Sequence, residues 1–95
     1  LEFNRFAAAK KVSQASLEVF PAQPILYLLN AKANNNLQDF KAAINALETG
    51  LDYLFDNAAL EKEFYEQLAM AYTGQGNTTK AANFAKKAAE ILDSN

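Results

Sequence analysis

The chain has no cysteine and no histidine, and only three glycines and two prolines among its 95 residues. Without cysteine there is no disulfide, no thiolate nucleophile and no sulfur-bound zinc. Without histidine there is no imidazole base and no finger-type metal site. Charge of one sign is also missing. Nine Lys and Arg stand against eleven Asp and Glu, a net charge of -2, and no Lys/Arg run occurs. The phosphate-neutralising surface that drives nucleic-acid affinity is therefore absent, and no nucleic-acid partner is expected. No apolar run approaches the roughly 18 residues that a membrane span requires, so membrane insertion is not expected. Leu1 opens the chain with neither an initiator Met nor a basic-plus-apolar leader, and the sequence reads as a segment of a longer protein.

What is present is apolar and periodic. Hydrophobic side chains make up 51% of the sequence, enough for a single domain over 1–95. At that size a chain buries about 60–65% of its unfolded surface. Phe6, Ala9, Val12, Ser16 and Val19 recur at helical intervals, as do Phe40, Ala43/Ile44, Leu47, Leu51 and Leu54. Leu60, Phe64, Leu68 and Ala71/Tyr72 form another such stripe, and Ala81, Phe84/Ala85, Ala88 and Ile91/Leu92 a fourth. Each traces one face of an α-helix, with its period of about 3.6 residues, and the alternation of a strand is nowhere sustained.

Breaks fall at helix-ending residues. Pro21 and Pro24 bracket the first, and Pro24 suits a first helical turn, where its missing N–H has no intrahelical partner to lose. Asn34-Asn35-Asn36 marks the second, because Asn tolerates left-handed backbone. Asp56-Asn57 supplies capping oxygens at the third, and Gly74-Gln75-Gly76-Asn77 is the fourth, with Thr78 or Thr79 available to cap the helix that follows. Five helices are predicted, over 4–19, 24–36, 39–55, 59–74 and 79–93, and Gly76 is expected at positive φ. Connections this short make sequential helices pack antiparallel.

The sequence also repeats itself. One constant shift lays Tyr27 on Tyr65, Ala31 on Ala69, and Lys41-Ala42-Ala43 on Thr79-Lys80-Ala81. A slightly shorter shift lays Ala9 on Ala43, in a partial third copy that closes at Pro21. Self-similarity at the length of one helical hairpin marks a stack of such hairpins. At Tyr65-x2-Leu68-Ala69-x2-Tyr72, followed by Ala81, the chain resembles the tetratricopeptide repeat, and in particular its bacterial type. Gly76-Asn77 sits where such repeats carry their tight turn, whereas Ala85 and Asp93 replace an aromatic residue and a closing proline. The middle unit keeps Tyr27, Ala31, Ala43, Leu47 and Gly50 but has Asn30 and Asn34 where Leu and Tyr are usual.

The resemblance implies an all-α fold of antiparallel helical hairpins stacked as a right-handed superhelix. It is divided into a lone second helix (1–23), one repeat (24–57) and a second repeat (58–95) with a short insertion at Ala58-Ala59-Leu60-Glu61. Tyr27, Ala31, Ala43, Tyr65, Leu68, Ala69, Tyr72 and Ala81 then become repeat-packing positions.

Catalytic chemistry has little to work with. Glu48 with Asp52 and Glu63 with Glu66 stand at helical spacing, as paired carboxylates for acid/base or metal work would, but Asn45, Lys62 and Gln67 flank them as on a solvated face. Asn77-Thr78-Thr79 matches a glycosylation acceptor and is read instead as a turn and cap. Neither an enzymatic site nor a cofactor is expected.

The resemblance implies a concave groove for a peptide or protein segment, lined by Ile25, Leu28, Leu29, Lys32, Asn35 and Asn36 of one first helix and by Glu63, Glu66, Gln67, Met70 and Thr73 of the next. Lys32 is its one basic residue, which suits a ligand with apolar anchors and a basic group better than a C-terminal carboxylate. Burial of the apolar segment Ile25 to Leu29 as core is the alternative. A non-catalytic interaction scaffold is the expected function. The competing reading is a structural segment of a longer repeat protein that self-associates, with Phe3, Phe6 and Ala7-Ala8-Ala9 exposed and residues 1–20 pairing with a second copy.

Overall fold

A computed structural model describes residues 2–91. Five α-helices follow one another: α1 (Glu2–Val19), α2 (Pro24–Asn36), α3 (Phe40–Leu51), α4 (Ala58–Gly74) and α5 (Thr78–Glu90). No strand occurs among the described residues. None of their helices is long and apolar enough to cross a membrane. Pro24 occupies the first turn of α2. Asp39, Asn57 and Asn77 each cap a helix through a side-chain oxygen that accepts from a backbone N–H of the first turn, at Ala42, Leu60 and Lys80 respectively. At the last of these caps Asn77, not Thr78 or Thr79, fills the role.

The turns inside the two complete hairpins are copies of each other. After α2, Asp39 N–H donates to Asn34 O at 2.8 Å and Gln38 N–H to Asn35 O at 3.1 Å. After α4, Asn77 N–H donates to Tyr72 O at 2.9 Å and Gly76 N–H to Thr73 O at 3.0 Å. Both are Schellman closures, which require one left-handed residue. That residue is Gln38 at φ 65° in the first and Gly76 at φ 78° in the second. The break after α2 thus lies at Gln38. Asn34, Asn35 and Asn36 remain helical because their side chains have other partners. Each residue of the first turn has its counterpart in the second, Asn34 in Tyr72, Asn35 in Thr73, Gln38 in Gly76 and Asp39 in Asn77, under the same shift that lays Tyr27 on Tyr65. In both turns the residue that closes the first helix also caps the second.

Two helices, α3 and α5, end earlier than the periodicity predicts, and α4 carries the expected insertion. α3 stops at Leu51, not 55, because Asp52, Tyr53 and Leu54 bond back in tighter, 3₁₀-like turns and Asp56 turns left-handed at φ 51°. Tyr53 stacks there on Tyr27, with ring centroids 5.9 Å apart. α4 has 17 residues against 13 in α2, so Ala58-Ala59-Leu60-Glu61 form an extra first turn. α5 ends at Glu90, where Ile91 becomes extended, and the rest of the expected span to 93 lies outside the described residues.

The core gathers Leu28, Ala31, Ala43, Ile44, Leu47, Phe64, Leu68, Ala71, Tyr72 and Ala81. α4 packs on α2, α3 and α5, and α2 on α1, α3 and α4. α1 packs on α2 alone, and this changes its face from the one expected. Ser13 is its buried residue and Phe6 is half-buried, while Ala9, Val12 and Val19 are exposed. With a single neighbour, only a narrow stripe of α1 is covered.

Gly50 marks a close approach of three helices. A Cβ there would lie 2.6 Å from Tyr27 Cβ and 2.7 Å from Phe64 Cε2, so the absence of a side chain lets α3 meet α2 and α4.

Candidate functional site

Two cross-links set α2 beside α4. Lys32 Nζ bonds Glu63 Oε1 at 3.0 Å. Asn35 Nδ2 donates to the backbone oxygen of Gln67 at 3.1 Å and to its Oε1 at 2.9 Å. Matching 32 with 63 and 35 with 67 makes the two helices run parallel. The ion pair is part-exposed on both sides and adds about 0–1 kcal/mol, so its role is registration more than stability. Asn35 contributes more, because it is buried and its amide N–H groups would lose both partners if α2 slid along α4.

The expected groove residues divide into four groups. Ile25, Leu29 and Met70 are large apolar side chains left 45%, 47% and 50% exposed. Leu28, by contrast, is in the core at 1% exposure, so the apolar segment of α2 splits between core and surface. Lys32, Asn35, Glu63 and Gln67 bind each other across the seam. Asn36, Glu66 and Thr73 are exposed, and two of them turn back on their own helix: Asn36 Nδ2 to Lys32 O and Thr73 Oγ1 to Ala69 O, both at 2.8 Å. Ile25 and Leu29 therefore lie toward the start of the α2–α4 seam, Met70 toward its end, with the ion pair between. Lys32 is neutralised by Glu63, and Glu66 presents its carboxylate at the exposed surface beside the pair.

The packing positions also separate. Ala31, Ala43, Leu68, Tyr72 and Ala81 are buried, while Tyr27, Tyr65 and Ala69 are half-buried. Burial, and then the neighbouring Tyr53 phenol, raise the Tyr27 hydroxyl above its ordinary value of 10.0. That hydroxyl donates to the Pro21 carbonyl. Tyr65 is raised in the same direction, first by burial and then by its hydrogen bond to, and repulsion from, the Glu61 carboxylate 3.1 Å away. Both tyrosines act as fixed neutral donors, which suits packing.

Asn30 and Asn34, the two departures from the apolar pattern, form a polar seam toward α1. Asn30 Nδ2 donates to Ser13 Oγ at 3.0 Å, and Asn34 Nδ2 to Asn30 Oδ1 at 2.9 Å. Ser13 occupies in the first unit the place that Leu47 occupies in the second, and Asn30 the place that Leu68 occupies. A polar pair replaces an apolar one, with both partners changed at once.

Three surface features were not singled out by the periodicity. A shallow depression at the start of α4 is lined by Asp56, Asn57, Ala58 and Ala59 with Lys62, Glu63 and Glu66, next to the α2–α4 seam. A cleft between α1 and α2 joins Arg5, Phe6 and Ala9 to Leu29, Lys32 and Ala33. On α5, Lys80 lies 5.3 Å over the Tyr72 ring and Lys87 5.4 Å over Phe84, whose ring stacks on Tyr72 at 5.7 Å. The self-association reading of the sequence expects Phe6 and Ala9 to be exposed, and Ala9 is exposed while Phe6 is half-buried; the cleft that joins them to Arg5 and α2 was not visible in the sequence. Of the pair Glu63 and Glu66, both of which line the depression, Glu63 is bound to Lys32. Comparison with protein-family models, curated proteins and solved structures finds no match in any of the three.

Proposed function

We propose that this chain is a tetratricopeptide-like repeat segment acting as a non-catalytic scaffold, which takes an extended peptide or protein segment along the face where α2 and α4 lie side by side. The observation that carries the reading is the pair of equivalent hairpin turns, at Gln38 and at Gly76, which set successive first helices parallel with Ile25, Leu29 and Met70 uncovered. Parallel first helices stacked with their second helices behind them are the geometry from which repeat proteins build extended concave surfaces. The ligand class follows from the lining: apolar anchors for Ile25, Leu29 and Met70, and a basic group for Glu66 and the adjoining Asp56.

Selection of random peptides on the immobilised chain, followed by titration, tests this. Enriched peptides should share apolar residues and a Lys or Arg. They should lose binding to Met70→Glu and Glu66→Lys, variants whose helical circular dichroism stays unchanged. Failure to enrich any peptide, or equal binding to both variants, overturns the proposal.

A second reading, self-association through residues 1–20, is favoured by a separate observation. Val12 and Val19 are 65% and 67% exposed on one face of α1, and Ala8 and Ala15 on that same face are exposed too. Contiguous apolar surface of this kind drives association. Sedimentation of the wild type beside a Val12→Glu/Val19→Glu double variant decides the matter: a wild type that stays monomeric at high concentration eliminates this reading.

A further inference from the structure

Small residues sit beneath the partner helix in both complete hairpins: Ala43 of α3 is fully buried and Ala81 of α5 nearly so. α1 carries the same register in the unit before. Phe6 corresponds to Phe40, both half-buried, and Ser13 to Leu47, both buried. α1 therefore lies on α2 as α3 lies on α4. In that register Ala9 corresponds to Ala43, yet Ala9 is exposed and opens onto the cleft between α1 and α2. The equivalent place beside α3 and α4 is filled by a helix, α2, which closes over Ala43 and over Ala71, the counterpart of Ala33.

The charges of the cleft have one sign. Phe6, Ala9 and Leu29 supply its open apolar lining above the buried Ala33; Arg5 and Lys32 are its cations, Lys32 already paired with Glu63, and no acidic side chain lines it. Among the described residues Arg5 makes no ion pair. The molecule already contains one contact of the complementary kind: α4 brings Glu63 to Lys32 while burying Phe64 and Leu68 from the same helix.

We propose that the α1–α2 cleft is a docking seat for an acidic amphipathic helix of a partner protein, whose apolar stripe covers Ala9 and Leu29 and whose carboxylate meets Arg5. Helix-in-groove recognition of this type takes its affinity from the apolar stripe and its selectivity from complementary charge. The surface is separate from the α2–α4 face at Ala9 and Arg5, which take no part in the peptide groove. Loss of one function can therefore be told from loss of the other.

The test is a titration of the isotope-labelled full chain with two synthetic helices of the length of α1. In one, Leu and Ala recur at helical spacing with Glu on the flanks; in the other, each Glu is replaced by Lys. The acidic helix should shift the amides of Arg5, Ala9, Leu29 and Ala33 and bind about ten-fold or more tightly than its basic counterpart, since like-charge juxtaposition at an interface is strongly unfavourable. Ala9→Arg should abolish binding without altering the thermal melt, and Arg5→Glu should shrink or invert the preference for the acidic helix. The proposal is overturned if both helices bind equally, if the shifts map elsewhere, if Ala9→Arg binds as the wild type does, or if self-association of the chain alone occupies the cleft.

Discussion

Gly50→Ala sets two effects of known size against each other. A glycine within a helix costs about 0.5–1 kcal/mol relative to alanine, so on propensity alone the change should stabilise α3. Packing opposes it. The new methyl would stand 2.6 Å from Tyr27 Cβ and 2.7 and 2.9 Å from Phe64 Cε2 and Cζ. Phe64 is fully buried, and Tyr27 Cβ is fixed to the α2 backbone, its ring stacked on Tyr53 and its hydroxyl bound to the Pro21 carbonyl. Relief then requires α2 or α4 to move away from α3, and overpacking of this kind costs ~1–3 kcal/mol. Packing wins by up to about 2.5 kcal/mol, and by about 1.2 kcal/mol at the centres of the two ranges, which for a domain of this size lowers the melting temperature by about 5–10 °C. Gly74→Ala is the informative comparison. Its methyl would run into the far edge of the Phe40 ring, on a half-buried side chain that can swing toward solvent, so the loss should be smaller. Thermal melts followed by helical circular dichroism and urea midpoints for the two variants give the answer. A Gly50→Ala midpoint at or above the wild type would refute the packing account of the α2–α3–α4 junction.

Gln38→Gly should raise stability by up to ~1 kcal/mol, because Gln38 holds the left-handed position that Gly76 fills in the equivalent turn. Gly76→Val should lower it through backbone strain alone, since no atom lies within 4 Å of its added Cβ; a urea titration of both variants checks the pair. Ser13→Ala removes the main partner of the Asn30 amide and should cost ~1–3 kcal/mol, whereas the double change Ser13→Leu/Asn30→Leu, copying Leu47 and Leu68, should recover most of that loss; a double variant no more stable than Ser13→Ala would contradict the equivalence of the two units. Alkaline pH should destabilise the wild type more than Tyr65→Phe: the folded Tyr65 hydroxyl is raised above 10.0, so its contribution is complete below that pH and is lost as pH climbs through the folded value. Urea midpoints taken between about pH 9 and pH 11 test this, and parallel curves for the two proteins would refute it.

Much of the helical layout was legible because it depends on local chemistry. Pro24 at a first helical turn, Asn57 as a cap, Gly76 in the left-handed region and the helical stripes of α3, α4 and α5 all act over a few residues, and the structure has each of them in place. The Asn run likewise stands at the end of α2, whose expected bounds of 24–36 the structure keeps, but the left-handed residue beyond it is Gln38 and not an asparagine. Asparagine competes for backbone hydrogen bonds in isolation, but Asn34 and Asn35 find partners in Asn30 and Gln67, which lie a helical turn away or on another helix, and so they stay helical and buried.

The candidate groove was legible as a set of positions but not as a surface. Periodicity puts Ile25, Leu28 and Leu29 on one apolar segment, and only the seating of α3 and α4 buries Leu28 and leaves its two neighbours uncovered. Pairing across helices, Lys32 with Glu63 and Asn35 with Gln67, joins residues far apart in sequence and depends on how α2 and α4 are laid together. The sequence by itself determined five helices, their order, their antiparallel succession and a repeated hairpin, because caps, turns and apolar spacing are properties of neighbouring residues. Which stripe of each helix is covered, and so the exposure of Val12 and Val19 and the cleft beside Arg5, came from the tertiary packing, because burial depends on which other helix arrives and at what distance.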